Sequence, residues 1–296
     1  MTTYDYDVLY IGSGHGTFDG AIPLGAKGKK VGVVEQDLVG GTCPNRGCNA
    51  KIVLDSPVAF QRHMEDVHGV VTGDVKIDWP ANQAHKHDVI DGLPAFIQGL
   101  LDSTDVDVLF GRGTWADAHT VMVNGEAKTA DKIVIAAGLR PNRLTIPGAD
   151  LAHDSSDFLN LSDMPNRVTI IGAGYIAMEF ATMANAAGAE VTVLMRGTQA
   201  LRAYHQPFVE QIIADLTSRG VVFNRDTQVD AIVQGADGLV VRGADLAVET
   251  DWVLDATGRI PNVEELGLET VGVSYNAKGI VVDDYLRTTV PNIYAS

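Results

Sequence analysis

Cys43 and Cys48 are the only thiols in the chain, and both lie in the run Gly-Gly-Thr-Cys-Pro-Asn-Arg-Gly-Cys-Asn-Ala-Lys from Gly40 to Lys51. Four residues separate them, so a turn of backbone brings their Cα atoms to the roughly 5.5 Å that a disulfide needs. A bridge closing so short a loop removes little chain entropy, because that contribution grows with loop length. The pair therefore suits reversible thiol–disulfide chemistry better than stapling. No other group competes with it. His15 sits inside a glycine loop and reads as a local structural residue, and His63 and His68 read as a solvated helix face. His85 and His87 alternate in a polar stretch, too few ligands for a metal site. No metal is expected, and no Ser-His-Asp arrangement is legible.

The elements that must position the cysteines are written twice. Tyr6–Ile11 is an apolar run opening into Gly12-Ser-Gly14-His-Gly16-Thr17, and Arg167–Ile171 opens likewise into Gly172-Ala-Gly174-Tyr-Ile-Ala177. Strand, glycine turn and helix start form the context in which G-x-G-x-x-G marks a dinucleotide site. Glycine lets the backbone approach a pyrophosphate, and the helix N-terminus offers it N–H groups and positive potential. Each half then repeats a later order. The first passes through Asp107–Phe110 and Val121–Val123 to Lys132–Gly138, the second through Val221–Phe223 and Leu239–Arg242 to Asp251–Gly258. The span from Gly12 to Gly138 exceeds that from Gly172 to Gly258 by 40 positions, and the surplus falls at about Thr42 to Leu101, the cysteines and a helical stretch after them.

The fold class expected is α/β: two Rossmann-like three-layer domains, one inserted in the other. Residues 1–145 form the first domain with the redox-active pair, 146–258 the second, and 259–296 a return segment. Pro141 and Pro147-Gly148 mark the crossing, and Gly258-Arg-Ile-Pro261 marks the return. In such a unit an acid about 20 residues past the glycines accepts from a ribose 2′-hydroxyl. Glu35 ends the strand-like run Lys30–Val34 and suits NAD or the adenosine half of FAD. The equivalent position in the second unit is Met195, followed by Arg196 and Arg202, with no carboxylate between Glu190 and Glu210. Guanidinium groups without an acid are what a 2′-phosphate requires, so the second unit reads as NADP(H). An NADPH site and an FAD site with a dithiol inserted between them specify an electron route to an external disulfide.

The bulk properties agree. A length of 296 residues suits about two domains, and 46% hydrophobic with 20% charged residues is ordinary for a globular protein. A net charge of −16 argues against nucleic acid or an anionic membrane surface as partner. No stretch approaches the ~20 apolar residues of a membrane span. Met1–Tyr10 carries two aspartates and no basic residue, unlike a secretory leader. A reducing, cytoplasmic location is expected, where a close cysteine pair is catalytic rather than structural.

With these residues in place, the chain resembles the glutathione reductase and dihydrolipoamide dehydrogenase family of FAD-dependent disulfide reductases over essentially its whole length. The most specific motif is Gly-Gly-Thr-Cys-x-Asn-x-Gly-Cys at Gly40 to Cys48. The resemblance implies that Cys43 is the interchange thiol attacking substrate and Cys48 the charge-transfer thiol against the flavin. It implies that Lys51 lies near flavin N5, paired with Glu179, and that Tyr175 caps the flavin until NADPH displaces it. A cation there favours the anionic reduced flavin, and a carboxylate partner makes its partial burial tolerable. By the same resemblance Gly12, Gly14, Glu35, Gly41, Thr42, Ala136 and Gly138 contact FAD. Gly172, Gly174, Ile176, Arg196 and Arg202 hold NADP(H), and Gly258 and Arg259 bind cofactor at the return.

Three departures qualify the resemblance. Thr17 replaces the third glycine, and Gly20 and Pro23 fall inside the following helix, where a proline costs ~3 kcal/mol; a kink or early break is expected. Ile22 stands where glutathione reductases place an arginine for the glutathione carboxylate. The sequence ends at Pro291-Asn-Ile-Tyr-Ala-Ser296, where the family continues with Gly-Asp and a dimerisation domain that supplies a histidine and a glutamate to the partner's site. That domain is expected to be absent. The chain alone is therefore expected to turn over disulfides slowly and hold FAD weakly, while the full-length family member is a homodimer. The leading expectation is an NADPH- and FAD-dependent reductase of a small disulfide, glutathione reductase-like. The alternatives are a dihydrolipoamide dehydrogenase, which an acid at position 195 would favour, or a mercuric reductase, which extra cysteines would favour. From another class comes a non-catalytic nucleotide-binding or redox-sensing fragment.

Overall fold

The two apolar runs that open the glycine motifs are both central strands, buried on both faces as parallel strands are. A computed structural model describes residues 3–67 and 69–296, so His68 lies outside the described residues. In chain order the first elements are β1 (Tyr6–Ile11), α1 (His15–Gly25), β2 (Val31–Glu35), α2 (Thr42–Arg46), α3 (Cys48–Asp66), α4 (Trp79–Ile90) and α5 (Leu93–Asp102). Next come β3 (Val106–Phe110), β4 (Gly113–Asp117), β5 (Thr120–Val123), β6 (Glu126–Ile135) and the crossing strand β7 (Leu139–Pro141). Then follow α6 (Ser155–Leu159), β8 (Arg167–Ile171), α7 (Tyr175–Ala186), β9 (Glu190–Leu194), α8 (Gln206–Ser218) and β10 (Val222–Asn224). The chain continues with β11 (Ala231–Gly235), β12 (Gly238–Gly243), β13 (Leu246–Thr250), β14 (Trp252–Asp255) and the return strand β15 (Arg259–Pro261). The short strands β16 (Tyr275–Asn276), β17 (Gly279–Ile280) and β18 (Ile293–Ala295) complete it.

The first compact unit comprises residues 1–49, 89–140 and 260–296. Its sheet runs β3-β2-β1-β6, all parallel, with β18 added parallel on β6. β6 changes partner along its length. Its first residues, Glu126–Thr129, pair antiparallel with β5, and Ala130–Ile135 pair parallel with β1. Because strand side chains alternate faces, Leu9, Ile11, Val34, Ile133 and Ile135 fill one core, while Tyr10, Val31, Val33 and Val106 fill the other beneath α1 and α5.

The second unit, residues 50–88 and 141–259, repeats the plan with β10-β9-β8-β14 parallel and an antiparallel β11-β12-β13 meander. Residues 50–88, read from sequence as part of the first domain, make their contacts with this unit instead. The reason is a polar tether: Lys86, wholly buried, donates to the Leu159 carbonyl at 2.7 Å and to Asn160 Oδ1 at 2.9 Å.

The break expected at Pro23 does not occur there. α1 continues to Gly25 and closes with the Ala26 N–H on the Ile22 carbonyl at 2.9 Å. Pro23 sits in the last turn, so little of the ladder lies beyond it. Gly20 is needed for packing, since a Cβ there would lie 2.5 Å from the Tyr10 hydroxyl. Among the described residues no helix is long and apolar enough to cross a membrane.

Candidate redox and nucleotide-binding site

Both glycine turns solve the same steric problem in the same way. Gly12 has φ +100°, its N–H donates to the Val34 carbonyl at 2.8 Å, and the Ala136 N–H donates to Ile11 at 2.8 Å. Gly172 has φ +121°, its N–H donates to Leu194 at 2.9 Å, and the Ala256 N–H donates to Ile171 at 2.9 Å. A Cβ on Gly12 would lie 2.3 Å from the Ala136 oxygen, and one on Gly172 2.3 Å from the Ala256 oxygen. Gly12→Ala and Gly172→Ala should therefore each lower stability by about 2–3 kcal/mol, combining backbone strain with a clash. Gly174→Ala, at φ −82° with nothing within 4 Å, should stay within about 0.5 kcal/mol. Denaturant midpoints of the three variants check this.

The first unit's turn is fastened by Glu35. This buried carboxylate accepts the Ser13 N–H (3.0 Å) and hydroxyl (2.5 Å) on one oxygen and the Asp37 N–H (2.7 Å) on the other. Ser13 Oγ in turn accepts the Gly40 N–H at 3.0 Å. A carboxylate offers about four lone-pair sites, so three protein donors leave room for a ribose hydroxyl. Thr17 explains its own departure from glycine: its buried hydroxyl donates to the Gly12 carbonyl at 2.6 Å. Neither α1 nor α7 has a side-chain cap, so the first N–H groups of both helices remain available to an anion.

The cysteine segment presses against the same turn. Gly41, at φ +66°, would place a Cβ 2.9 Å from Gly14 Cα, so two glycines meet backbone to backbone. Asn45 Nδ2 donates to the Val39 and Gly41 carbonyls at 3.0 and 2.9 Å and fixes the start of α2, where Thr42 is exposed. Gly47 separates α2 from α3. A Cβ there would lie 2.9 Å from the Thr42 oxygen, because the chain folds back on itself and brings Cys48 over Cys43. Both are free thiols, Cys43 half-buried and Cys48 exposed. Burial, and then the Cys48 sulfur beside it, push the Cys43 thiol up to about 11.

Lys51 follows one turn later in α3, and in the second unit its Nζ meets Glu179 Oε1 of α7 at 2.8 Å. One further turn on, Asp55 is half-buried; burial raises its carboxyl, with Lys51 opposing. Tyr175, at the first position of α7, is 52% exposed, and Ile176 beside it is half-buried. The loop after β9 is tied to the glycine turn by the Leu201 N–H on the Ala173 carbonyl at 2.9 Å. Met195 is buried, its N–H donating to Asn224, while Arg196 and Arg202 are exposed and have no ion-pair partner among the described residues. Arg225, which reaches the same loop by donating to the Thr198 carbonyl at 2.9 Å, is by contrast forked onto Glu210 at 2.8 and 3.2 Å.

The structure thus gathers Gly12, Gly14, Glu35, Gly41, Thr42, Cys43, Cys48, Ala136 and Gly138 in the first unit. Lys51, Gly172, Gly174, Tyr175, Ile176, Glu179, Arg196, Arg202, Gly258 and Arg259 belong to the second. Gly138 (φ +70°) and Gly258 (φ +142°) end corresponding segments with open space beside them. Among the described residues His15 pairs only loosely with Asp19 (3.9 Å) and leans on Phe18, while His63, His85 and His87 are exposed. No group of three or more metal-ligating side chains occurs among them. Ser13, Asn45 and Gly47 were not singled out from the sequence, although all three lie inside the motifs it displays.

Comparison with known proteins adds the family. The sequence profile described as pyridine nucleotide-disulphide oxidoreductase matches residues 6–296. A glutathione reductase of Nostoc is 34% identical over 99% of this chain and 67% of its own length, and one of Burkholderia cepacia 36% over 100% and 67%. Among solved structures, the HOCl-induced flavoprotein disulfide reductase RclA of Escherichia coli superposes with a TM-score of 0.89 at 28% identity, covering 98% of this chain and 65% of that one. The chain spans about two thirds of the length of these proteins.

Proposed function

The chain belongs to the pyridine nucleotide-disulphide oxidoreductase family, and from that premise we propose that it carries electrons from NADPH through FAD and Cys43–Cys48 to a small disulfide. The observation that carries this reading is a folded-back cysteine pair packed against the glycine turn of its own unit, in a chain that carries a second such turn without the acid that follows the first. The residues fit both nucleotides. The first unit offers a carboxylate with a spare acceptor site, and the second offers two exposed arginines that have no ion-pair partner among the described residues. When bound, FAD supplies the two-electron relay between nicotinamide and disulfide. Lys51, oriented by Glu179, holds a positive charge along the helix that begins with Cys48. Cys43 attacks the external disulfide, and Cys48 then attacks Cys43 to release the second thiol. Ile22 in place of a carboxylate-binding arginine supports a small disulfide other than glutathione. The proposal extends to a homodimer in a reducing cytoplasm, the setting in which two thiols and no others are kept for redox work.

Anaerobic addition of NADPH to the FAD-loaded chain tests it. Titration of accessible thiols should rise by the two cysteines of the chain. A protein that takes up no FAD, or whose thiol count stays constant, would contradict the reading.

A further inference from the structure

Asn49 touches the sulfur that this chemistry uses. Its Oδ1 accepts the Cys43 S–H at 3.8 Å, and the backbone N–H groups of Cys48 and Asn49, in the first turn of α3, point at the same sulfur. Such first-turn N–H groups have no partner within their own helix. The Asn49 amide makes no second hydrogen bond among the described residues, so turning it by half a rotation sacrifices nothing and exchanges an acceptor for a donor. Cys48 is the titratable group facing Cys43 among the described residues, and Arg46, further along α2, is taken up by Asp37.

Resting on the reading of Cys43 as the interchange thiol, we propose that Asn49 is a catalytic residue of thiol–disulfide exchange. Its amide accepts from Cys43 while that residue is a thiol and turns to donate to it as a thiolate. The exchange then runs as follows. Cys43, its proton given up to solvent, attacks one sulfur of the external disulfide; that S–S bond breaks, and the first thiolate leaves and takes a proton. Cys48 loses its proton to solvent and attacks Cys43 Sγ, the mixed disulfide breaks, and the second thiol departs protonated. The chain gives up two electrons and closes Cys43–Cys48, and the substrate receives them as two thiols. A donor to an ionised sulfur is stronger than an acceptor from a neutral S–H, so the net effect of the amide lies on the thiolate side. That is the form in need of support, because burial disfavours it at this half-buried sulfur.

The test uses the full chain carrying Cys48→Ser, in which Cys43 is the sole thiol. Its modification by iodoacetamide is followed by peptide mass spectrometry across the pH range where the chain stays folded. Adding Asn49→Leu should raise the midpoint of the pH–rate profile by about one unit. Asn49→Asp, similar in size but negative and without the donor, should raise it further. An unchanged or lowered midpoint in Asn49→Leu, with its thermal transition intact, overturns the proposal; should that variant not fold, the aspartate variant decides by the same criterion. In parallel, the wild-type chain is equilibrated in dithiothreitol redox buffers and its thiols are labelled. If Cys43–Cys48 never closes, the underlying reading falls and this inference with it. If it closes while the midpoint is unmoved, this inference alone falls.

Discussion

Replacing Arg196 and Arg202 together by alanine should abolish most of the preference for NADPH over NADH while leaving NADH affinity nearly unchanged. The guanidinium groups of this unit differ in what they hold without nucleotide. Arg225 is neutralised by Glu210, whereas Arg196 and Arg202 are exposed and, among the described residues, have no ion-pair partner. A charge-assisted contact is worth about 1.5–3 kcal/mol, and solvent exposure places these at the low end. Each arginine should then contribute about tenfold and the pair about a hundredfold to the ratio of dissociation constants. Because the contacts are ionic and exposed, the preference should also shrink with added salt. Binding titrations with both nucleotides at two ionic strengths check this, and equal affinities in the wild-type chain would sink it. Met195→Glu is not the reverse experiment. That side chain is 1% exposed, so a glutamate would be buried rather than offered to a ribose.

The second large effect concerns the cysteines. Cys43→Ser should eliminate disulfide reduction yet leave reduction of bound flavin by NADPH intact, with a long-wavelength thiolate–flavin band visible without reductant. Cys48→Ser should also lose turnover, but without the band. The opposite spectra would reverse the assignment of the two sulfurs. A pH effect accompanies this. In the reduced chain burial and the neighbouring sulfur raise Cys43 from an ordinary 9.0 to about 11. A group whose folded pKa lies above its unfolded value supports the fold below the unfolded pKa and loses that support as pH rises to the folded one. Reduced wild type should therefore lose stability relative to Cys43→Ser as pH rises through that interval, measured by chemical denaturation at fixed pH.

How far the sequence reached depends on whether a feature is local. Tyr6–Ile11 and Arg167–Ile171 are strands over the whole of the expected ranges, because buried parallel strands are nearly continuous apolar runs, here broken only by Asp7 and by Arg167 and Thr169. β6 starts at Glu126, earlier than its apolar stretch, because its first half is a polar antiparallel strand whose identity comes from β5. β18 is three residues long and is defined by its partner β6. α4 runs against its own sequence pattern. Asn82, Gln83 and Lys86 look like a solvated face, yet all three are buried, with Asn82 donating to the Leu54 carbonyl at 2.9 Å. Asn82 and Lys86 are tolerated inside because acceptors far away in sequence await them, whereas the Gln83 amide is buried with no hydrogen-bond partner among the described residues. The site shows the same division. Spacing alone singles out Glu35 and the two arginines, whereas the role of Thr17, whose hydroxyl donates to the Gly12 carbonyl, depends on how the turn folds back.

The position of β18 bears on how the chain is made. β6 is complete once Ile135 has emerged from the ribosome, but its parallel neighbour, Ile293–Ala295, emerges some 160 residues later, roughly ten to thirty seconds at ordinary elongation rates. Throughout that interval one edge of β6 carries unpaired backbone groups, the kind of edge on which nascent chains aggregate. The second unit needs nothing beyond Arg259, so every residue it requires is available first. The unit whose first strand begins the chain is thus the one whose sheet is finished last.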